Sequence, residues 1–451
     1  MKTNRILTFL FAGALALFSL QSCLFEQKDL FEDSASARLS KTLANAKTVL
    51  TQQTGGWIMY YYPDNDQYYG GYNYIVKFTD EEATVWSEIF DGASTSLYKM
   101  TTNNGPVLSF DTSNHHFHYF ATPSGSGKNT YGENGRYQAY RGDFEFLILS
   151  ATPEKVQLKG TRSGCFIVMV PFTGGDPAAY MAAVNKNVED IFVSDFTGTI
   201  GSDNLHLFLD LSYRQAEINL EEDEEHVTKV AYIYTDKGIR LYKPVTIGSN
   251  TFQELDWDAD AQKLVSSGAV AIDLKGKLPD GWHAYNDYLG TWNLTFNAAA
   301  SVLEGVTFTE DVKGESYIIS GLSDQFTVKA TYNLGTGKVQ LLSQIVGTNG
   351  GYSVRMAAWD SKAGKVTYTD TIGFFLTFGA NENGVDDGTT IYFSDNRVWG
   401  SYVVNGFILY NMNGSTRIGG TSAPWIFAVE KAGVTTDLNR LKTPTILTRA
   451  K

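Results

Sequence analysis

Apolar residues recur at helical spacing just once near the start of the chain. Leu39, Leu43, Ala46 and Leu50 fall on one helical face. Asp33 or Ser34 stands where an N-cap side chain is needed, and Gly55-Gly56 ends the run. Beyond that point the period changes to two. Tyr72, Tyr74, Val76 and Phe78 share one face of a strand, with Asn73, Ile75, Lys77 and Thr79 on the other. Phe144, Phe146 and Ile148 repeat the alternation, followed by Val156 and Leu158 and the apolar run 165–170. Asp176-Pro177 opens a second predicted helix, Pro177 to Val188, and Leu205, Leu207, Leu209 and Leu211 return to strand spacing. The acidic run Glu221 to Glu225 reads as a hairpin tip, and Gly276 to Asp287 reads as a boundary.

Runs this short, separated by Gly and Asn/Asp clusters, predict antiparallel meanders and leave no room for parallel crossovers. The expected fold is mainly β: two or three antiparallel modules, barrel or sandwich, after an N-terminal helix. The predicted boundaries are 34–190 for the helix and first β domain, 191–280 for a second β region packed with it or separate, and 288–451 for a C-terminal module. In that module Leu289-Gly290-Thr291-Trp292-Asn293-Leu294 resembles the opening strand of lipocalin-like barrels, where Gly-x-Trp closes one end. About eight strands follow without a helix, which suits an up-and-down barrel or a sandwich.

The first 33 residues carry a different signal. Lys2 and Arg5 precede an uncharged apolar run from Ile6 to Leu20, too short to span a bilayer and suited to a signal peptide. Leu20-Gln21-Ser22-Cys23 then resembles a bacterial lipobox. The resemblance implies a signal peptide over residues 1–22, cleavage before Cys23, and acylation of Cys23, with 23–33 as a lipidated tether. The competing reading is an ordinary secreted protein with a stray cysteine. Removing Lys2 and Arg5 with the signal peptide takes the net charge from −13 to −15. That acidity argues against a nucleic-acid partner. With Cys23 lipidated, Cys165 is the remaining thiol, and its apolar setting predicts a buried structural role.

Several stretches taken together resemble a known family: the lipobox, the acidic spacer from Leu24 to Asp33 with Glu26, Asp29, Glu32 and Asp33, Gly55-Gly56-Trp57 leading into a Tyr-rich stretch, and Val76-Lys77-Phe78. Gly142-Asp143-Phe144-Glu145-Phe146, Val156-Gln157-Leu158-Lys159-Gly160 and Gly238-Ile239-Arg240-Leu241-Tyr242-Lys243-Pro244 belong to the same likeness. They resemble Bacteroidetes lipoproteins of domain-of-unknown-function family 4302. The resemblance implies an outer-membrane lipoprotein beside a SusC/SusD-type uptake complex, with the acidic spacer as a signal for the cell surface; a periplasmic face is the alternative. It brings no catalytic residues.

No catalytic constellation is legible. His-Glu-x-x-His and Gly-x-Ser-x-Gly are absent. His116 and His118, two apart, would share one face of a strand and grip a metal with a third ligand such as Asp111; an exposed strand with polar tips is the competing reading. Gly125 to Thr130 fails as a phosphate loop, with Thr122 in place of the first Gly and Asn129 in place of the Ser/Thr. Asp256-Trp257-Asp258-Ala259-Asp260 fails as an EF-hand at Ala261 and Ser267. A looser calcium site there or at Asp386-Asp387 competes with plain solvated turns. No cofactor is expected.

The aromatic run from Trp57 to Tyr74 is the remaining lead, broken by the turn Pro63-Asp64-Asn65-Asp66. Alternation places Tyr72 and Tyr74 in the core. Tyr61, Tyr68 and Tyr69, near the turn, are the candidate ligand-binding residues, because tyrosine offers rigid amphipathic area at low entropic cost. The chain therefore reads as a non-catalytic accessory binding protein for a glycan or peptide. The alternatives are a structural or adhesive lipoprotein with a protein partner, and a hydrolase with an unrecognised site.

Overall fold

The computed structural model describes residues 34–102, 105–122, 140–221, 223, 225–266 and 268–450. Cys23, the signal peptide, the tether and Gly125 to Thr130 lie outside these residues. No described helix is long and apolar enough to cross a membrane.

The chain divides after Tyr180 into two compact units. The first opens with helix α1 (Ala35–Gln52), whose N-cap Ser34 accepts a hydrogen bond from the Ala37 amide. Ala46, Val49 and Leu50 are its buried stripe, as the spacing predicts. Nine strands follow: β1 (Trp57–Tyr61), β2 (Tyr72–Phe78), β3 (Glu82–Ser87), β4 (Phe90–Leu97), β5 (Lys99–Thr101), β6 (Val107–Ser109), β7 (Glu145–Ala151), β8 (Val156–Gly160) and β9 (Phe166–Pro171). They form one antiparallel sheet in the order β4-β3-β2-β1-β9-β8-β7-β6-β5. Tyr98 alone separates β4 from β5 in the chain, yet these strands occupy opposite ends of the sheet. The sheet must therefore curl until its two edges approach. Helix α2 (His115–Ala121) lies between β6 and β7 in sequence and buries Phe117 and Phe120.

Helix α3 (Pro177–Asp190) contains the division between the units. Both Asp176 carboxylate oxygens accept first-turn amides, from Ala178 and Ala179, as the Asp-Pro start predicts. In the second unit, eight strands from Asp195–Ile200 to Ile272–Gly276 pair in chain order, and the last returns to the first. The region from 191 to 280 thus closes as a barrel of its own and shares no described strand with the curled sheet. Leu205, Leu207 and Leu209 point into it.

The C-terminal module holds a closed eight-stranded barrel and a companion sheet. The barrel strands are Gly290–Phe296, Ser301–Val312, Ser316–Ser320, Val328–Asn333, Lys338–Leu342, Gly373–Phe378, Thr390–Asp395 and Ile446–Arg449. Two long excursions leave this barrel and form six further strands, centred on the pair Tyr352–Asp360 and Gly406–Asn413. Expectations of barrel and of sandwich each capture part of this arrangement. Trp292 is fully buried at the barrel start, with the Arg449 guanidinium 4.1 Å above its ring.

Candidate functional site

The Tyr-rich run leaves β1 at Tyr61 and re-enters β2 at Tyr72, and these two residues are paired in the ladder. That pairing fixes which rings face inward. Tyr61 is 0% exposed. Its hydroxyl donates to the Asp143 carbonyl at 3.0 Å and accepts from the Asp143 amide at 2.8 Å, and its ring packs on Tyr74, Phe120 and Phe146. Burial pushes its pKa well above the ordinary phenol value. Tyr61 is a core residue and not a ligand contact, because its ring is fully buried and its hydroxyl is occupied by the Asp143 main chain.

Tyr68 and Tyr69 lie in the turn beyond it. Asp64, Gln67 and Gly70 adopt positive φ, and the Asp64 carboxylate, itself buried, pairs with Arg141 at 3.3 Å. The turn is thereby held against the chain at 140–142. Tyr68 is 54% exposed and Tyr69 half-buried. Their rings stand edge to face at 5.0 Å, and Tyr69 meets Tyr140 at 5.0 Å in the same way. Tyr140 stacks on Tyr119 at 5.7 Å, Tyr119 meets Phe90 at 5.4 Å, and Phe90 meets His115 at 4.9 Å. Every ring in this series is partly or well exposed.

Buried Phe120 supports the series from below. Its ring lies 4.4 Å from Tyr72, 4.9 Å from Tyr119 and 5.3 Å from Tyr140. The Phe120 carbonyl also accepts the amides of Tyr140 and Gly142. Gly142 permits this approach, since a Cβ there would sit 2.3 Å from the Tyr61 hydroxyl and 2.7 Å from the Phe120 Cβ. The exposed rings are therefore fixed before any ligand arrives. Tyr140, Tyr119, Phe90 and His115 were not legible as site residues; they stand far from Tyr68 in sequence and are brought together by the fold alone.

His116 and His118 do not share a strand face. They stand on a helix rather than a strand, and a two-residue step there turns about 200° around the axis. His116 is buried, with Nδ1 2.7 Å from the Ser87 hydroxyl and no partner for Nε2. Burial, then neighbouring His115, lowers its pKa to about 4. His118 Nδ1 lies 2.9 Å from the Asn114 carbonyl oxygen, and Asp111 is paired with Lys99 at 2.6 Å. The pair cannot converge on one ion. Asn114 as cap and the spacing Phe117-Phe120-Ala121 were the available helical signals.

Other candidate chemistry falls to structural uses. Asp258 accepts the Ala261 amide in a turn, Asp387 accepts the Thr389 amide, and Asp386 meets His283 at 3.1 Å. Among the described residues no group of three or more His, Cys, Asp or Glu side chains is placed to hold a metal. Cys165 is buried, its pKa raised to about 12 chiefly by desolvation. A cleft of about 340 Å³ on the first barrel is lined by Arg240, Phe252, Glu254 and Val270, with Arg240 and Glu254 paired to each other.

The family model described as domain of unknown function DUF4302 matches residues 27–259, and a second, DUF4987, also a domain of unknown function, matches 266–410. The comparison with curated protein sequences gives no match. Among solved structures, transferrin-binding protein B from Haemophilus parasuis Hp5 is similar at 8% identity and TM-score 0.13, covering 88% of this chain and 76% of that one. The DnaN sliding clamp from Pseudomonas aeruginosa is similar at 9% identity and TM-score 0.09, covering 76% and 95%. Scores this low carry no argument about fold or function.

Proposed function

The chain belongs to the DUF4302 family, and on that premise we propose that it is a lipid-anchored envelope protein that captures a glycan or peptide without altering it. The observation that carries this reading is the series of exposed rings from Tyr68 to His115, braced on buried Phe120. Rings held in place lose little freedom on binding, so their amphipathic area goes into affinity. The apolar stretch Ile6 to Leu20 followed by Cys23 supports anchoring at the outer membrane. More than one acyl chain on Cys23 would hold the protein stably, where one chain holds marginally. The acidic spacer supports the cell surface, and an uptake complex in the same membrane is the partner this role needs.

Three experiments test the reading. The full-length chain in detergent should retain members of a glycan or peptide array, and recovered ligand should be chemically unchanged; turnover would assign a hydrolase instead. Alkyne-palmitate should label the wild-type chain in cells and fail to label Cys23→Ala. Protease added to intact cells should remove the protein if it faces outward.

One observation favours a second reading, a structural lipoprotein that docks a protein partner. The loop from 397 to 403 leaves Val398 55% and Val403 54% exposed around the Trp399–Tyr402 ring pair. Cross-linking that captures a constant neighbour through this loop, with no array ligand retained, would support it.

A further inference from the structure

We propose that the loop from 397 to 403 is a membrane-docking tip, seated at the headgroup level of a bilayer that carries anionic lipid. The inference rests on the anchoring part of the reading above and adds a second membrane contact to it. Residue type supplies the first step. Val398 and Val403 are both more than half exposed, and the Trp399 and Tyr402 rings between them lie 5.1 Å apart. Trp and Tyr gather at membrane–water interfaces because each joins an apolar body to a polar tip. Trp399 is half-buried and packs on the core of the C-terminal module, so the tip is held from below.

The main chain of the loop suits a dry setting. The Arg397 and Val404 amides donate to the Asp395 carboxylate, and the Val403 amide donates to that of Asp360. The Val398 amide donates to the Asn396 side chain and the Tyr402 amide to the Trp399 carbonyl. An amide without a partner is costly near hydrocarbon, and these five find theirs within the fold. Charge supplies the third step. The Asn405 side chain accepts the Ser361 amide at 2.8 Å, which sets the turn at 361–364 beside the loop. Arg397, Lys362 and Lys365 are exposed there, and none is ion-paired among the described residues. Segments 361–369 and 396–403 contain no carboxylate, although the whole chain carries −13. Such a local excess of cations is drawn to anionic headgroups and is screened by salt.

The test uses the full-length chain reconstituted in phosphatidylcholine vesicles, with and without phosphatidylglycerol. A nitrobenzoxadiazole label is attached through Val398→Cys or Val403→Cys, and Cys165 is buried away from the reagent. Ile418→Cys is the control, since Ile418 is equally exposed but lies at the other end of the strand Gly406–Asn413 from the loop. In vesicles with phosphatidylglycerol, spin-labelled lipid should quench the labels at 398 and 403 roughly threefold more than the control. Raised salt, or Lys362→Glu together with Arg397→Glu, should bring both labels down towards the control. All of these side chains are exposed, so the variants should keep the wild-type thermal midpoint. Equal quenching at all three positions overturns the proposal, as does quenching that ignores phosphatidylglycerol. Unquenched labels on a loop that cross-links in cells to a constant protein neighbour overturn it in favour of a protein partner. Flotation of the same vesicles reports anchoring separately. A wild-type chain that floats while its loop labels stay unquenched overturns the tip alone; a chain that neither floats nor is quenched overturns anchoring as well.

Discussion

The curled N-terminal sheet and the C-terminal barrel are both rich in tyrosine, and both tie some of it to the main chain. The curled sheet also sets a series of rings against one another at its surface. At one end of the barrel Tyr285, Tyr288, Tyr317 and Tyr332 are buried, and each hydroxyl donates to a main-chain carbonyl. Their acceptors are Ser316 for Tyr285, Gly337 and Leu376 for Tyr288, Tyr285 for Tyr317, and His283 for Tyr332. In the curled sheet Tyr61 and Tyr74 are used the same way, on the carbonyls of Asp143 and His116. Tyr68, Tyr69, Tyr119 and Tyr140 instead rest ring on ring and keep part of their area in water. A phenol tied to a main-chain carbonyl is spent on the fold. A phenol braced by other rings leaves its face available.

The largest effect should come from the barrel end. Trp292 is fully buried, donates through Nε1 to the Tyr288 carbonyl at 3.0 Å, and lies under Arg449. Trp292→Ala should cost about 3–5 kcal/mol through lost packing and the cavity left behind. Urea unfolding of the full chain would show it as a transition moved to lower denaturant. A shift under about 1 kcal/mol would mean that the Gly-x-Trp end does not close this barrel.

A pH titration breaks the comparison from the other side, because the curled sheet buries a histidine. His116 has its pKa lowered to about 4 by burial, against 6.5 in the unfolded chain. Between those values the unfolded state binds the extra proton, so stability present above pH 6.5 is lost as pH falls towards 4. The loss should reach at most about 3 kcal/mol, in the transition of the curled sheet. His116→Gln should flatten that slope. An unchanged slope would place the titration elsewhere.

Tyr288→Phe probes the barrel phenols more gently. Its hydroxyl serves Gly337 at 2.9 Å and Leu376 at 3.2 Å, so removal takes the phenol donor from two main-chain carbonyls. The expected cost is about 1–3 kcal/mol, read as a lower thermal midpoint. The same change at Tyr69 should be close to neutral if its ring, not its hydroxyl, is what matters.

Local pattern carried much of this fold and little of the site. Ser34 and Asp176 cap their helices as read, and Leu205, Leu207 and Leu209 alternate into the first barrel because strand period and burial agree. His116 and His118 misled because a two-residue spacing fits a strand, while the helix depends on the Asn114 cap and on Phe117 and Phe120 reaching the core. The companion sheet was equally hidden. Strands near 352–358 and 406–411 read like further barrel staves in the sequence, and only their pairing with each other removes them from the barrel. Tyr68 and Tyr69 were legible as exposed turn residues, but the rings that complete the series come from positions 90, 115, 119 and 140. No local pattern links those positions, since the contact between them is made by tertiary packing.

The smallest stability effect carries the most information about function. Tyr68 is 54% exposed, so Tyr68→Ala should change unfolding free energy by no more than about 0.5 kcal/mol. Phe120→Ala, beneath the same surface, should cost about 3–5 kcal/mol, because Phe120 is buried against Tyr61, Tyr72, Tyr119 and Tyr140. Both changes should weaken ligand capture, the first by removing a stacking face and the second by releasing the rings that hold the others. Equal losses of stability would make Tyr68 part of the core and dissolve the distinction between the two kinds of tyrosine. A Tyr68→Ala protein that melts like wild type and no longer retains ligand would establish that the curled sheet keeps its outer rings for a partner, where the barrel ties Tyr285, Tyr288, Tyr317 and Tyr332 to its main chain.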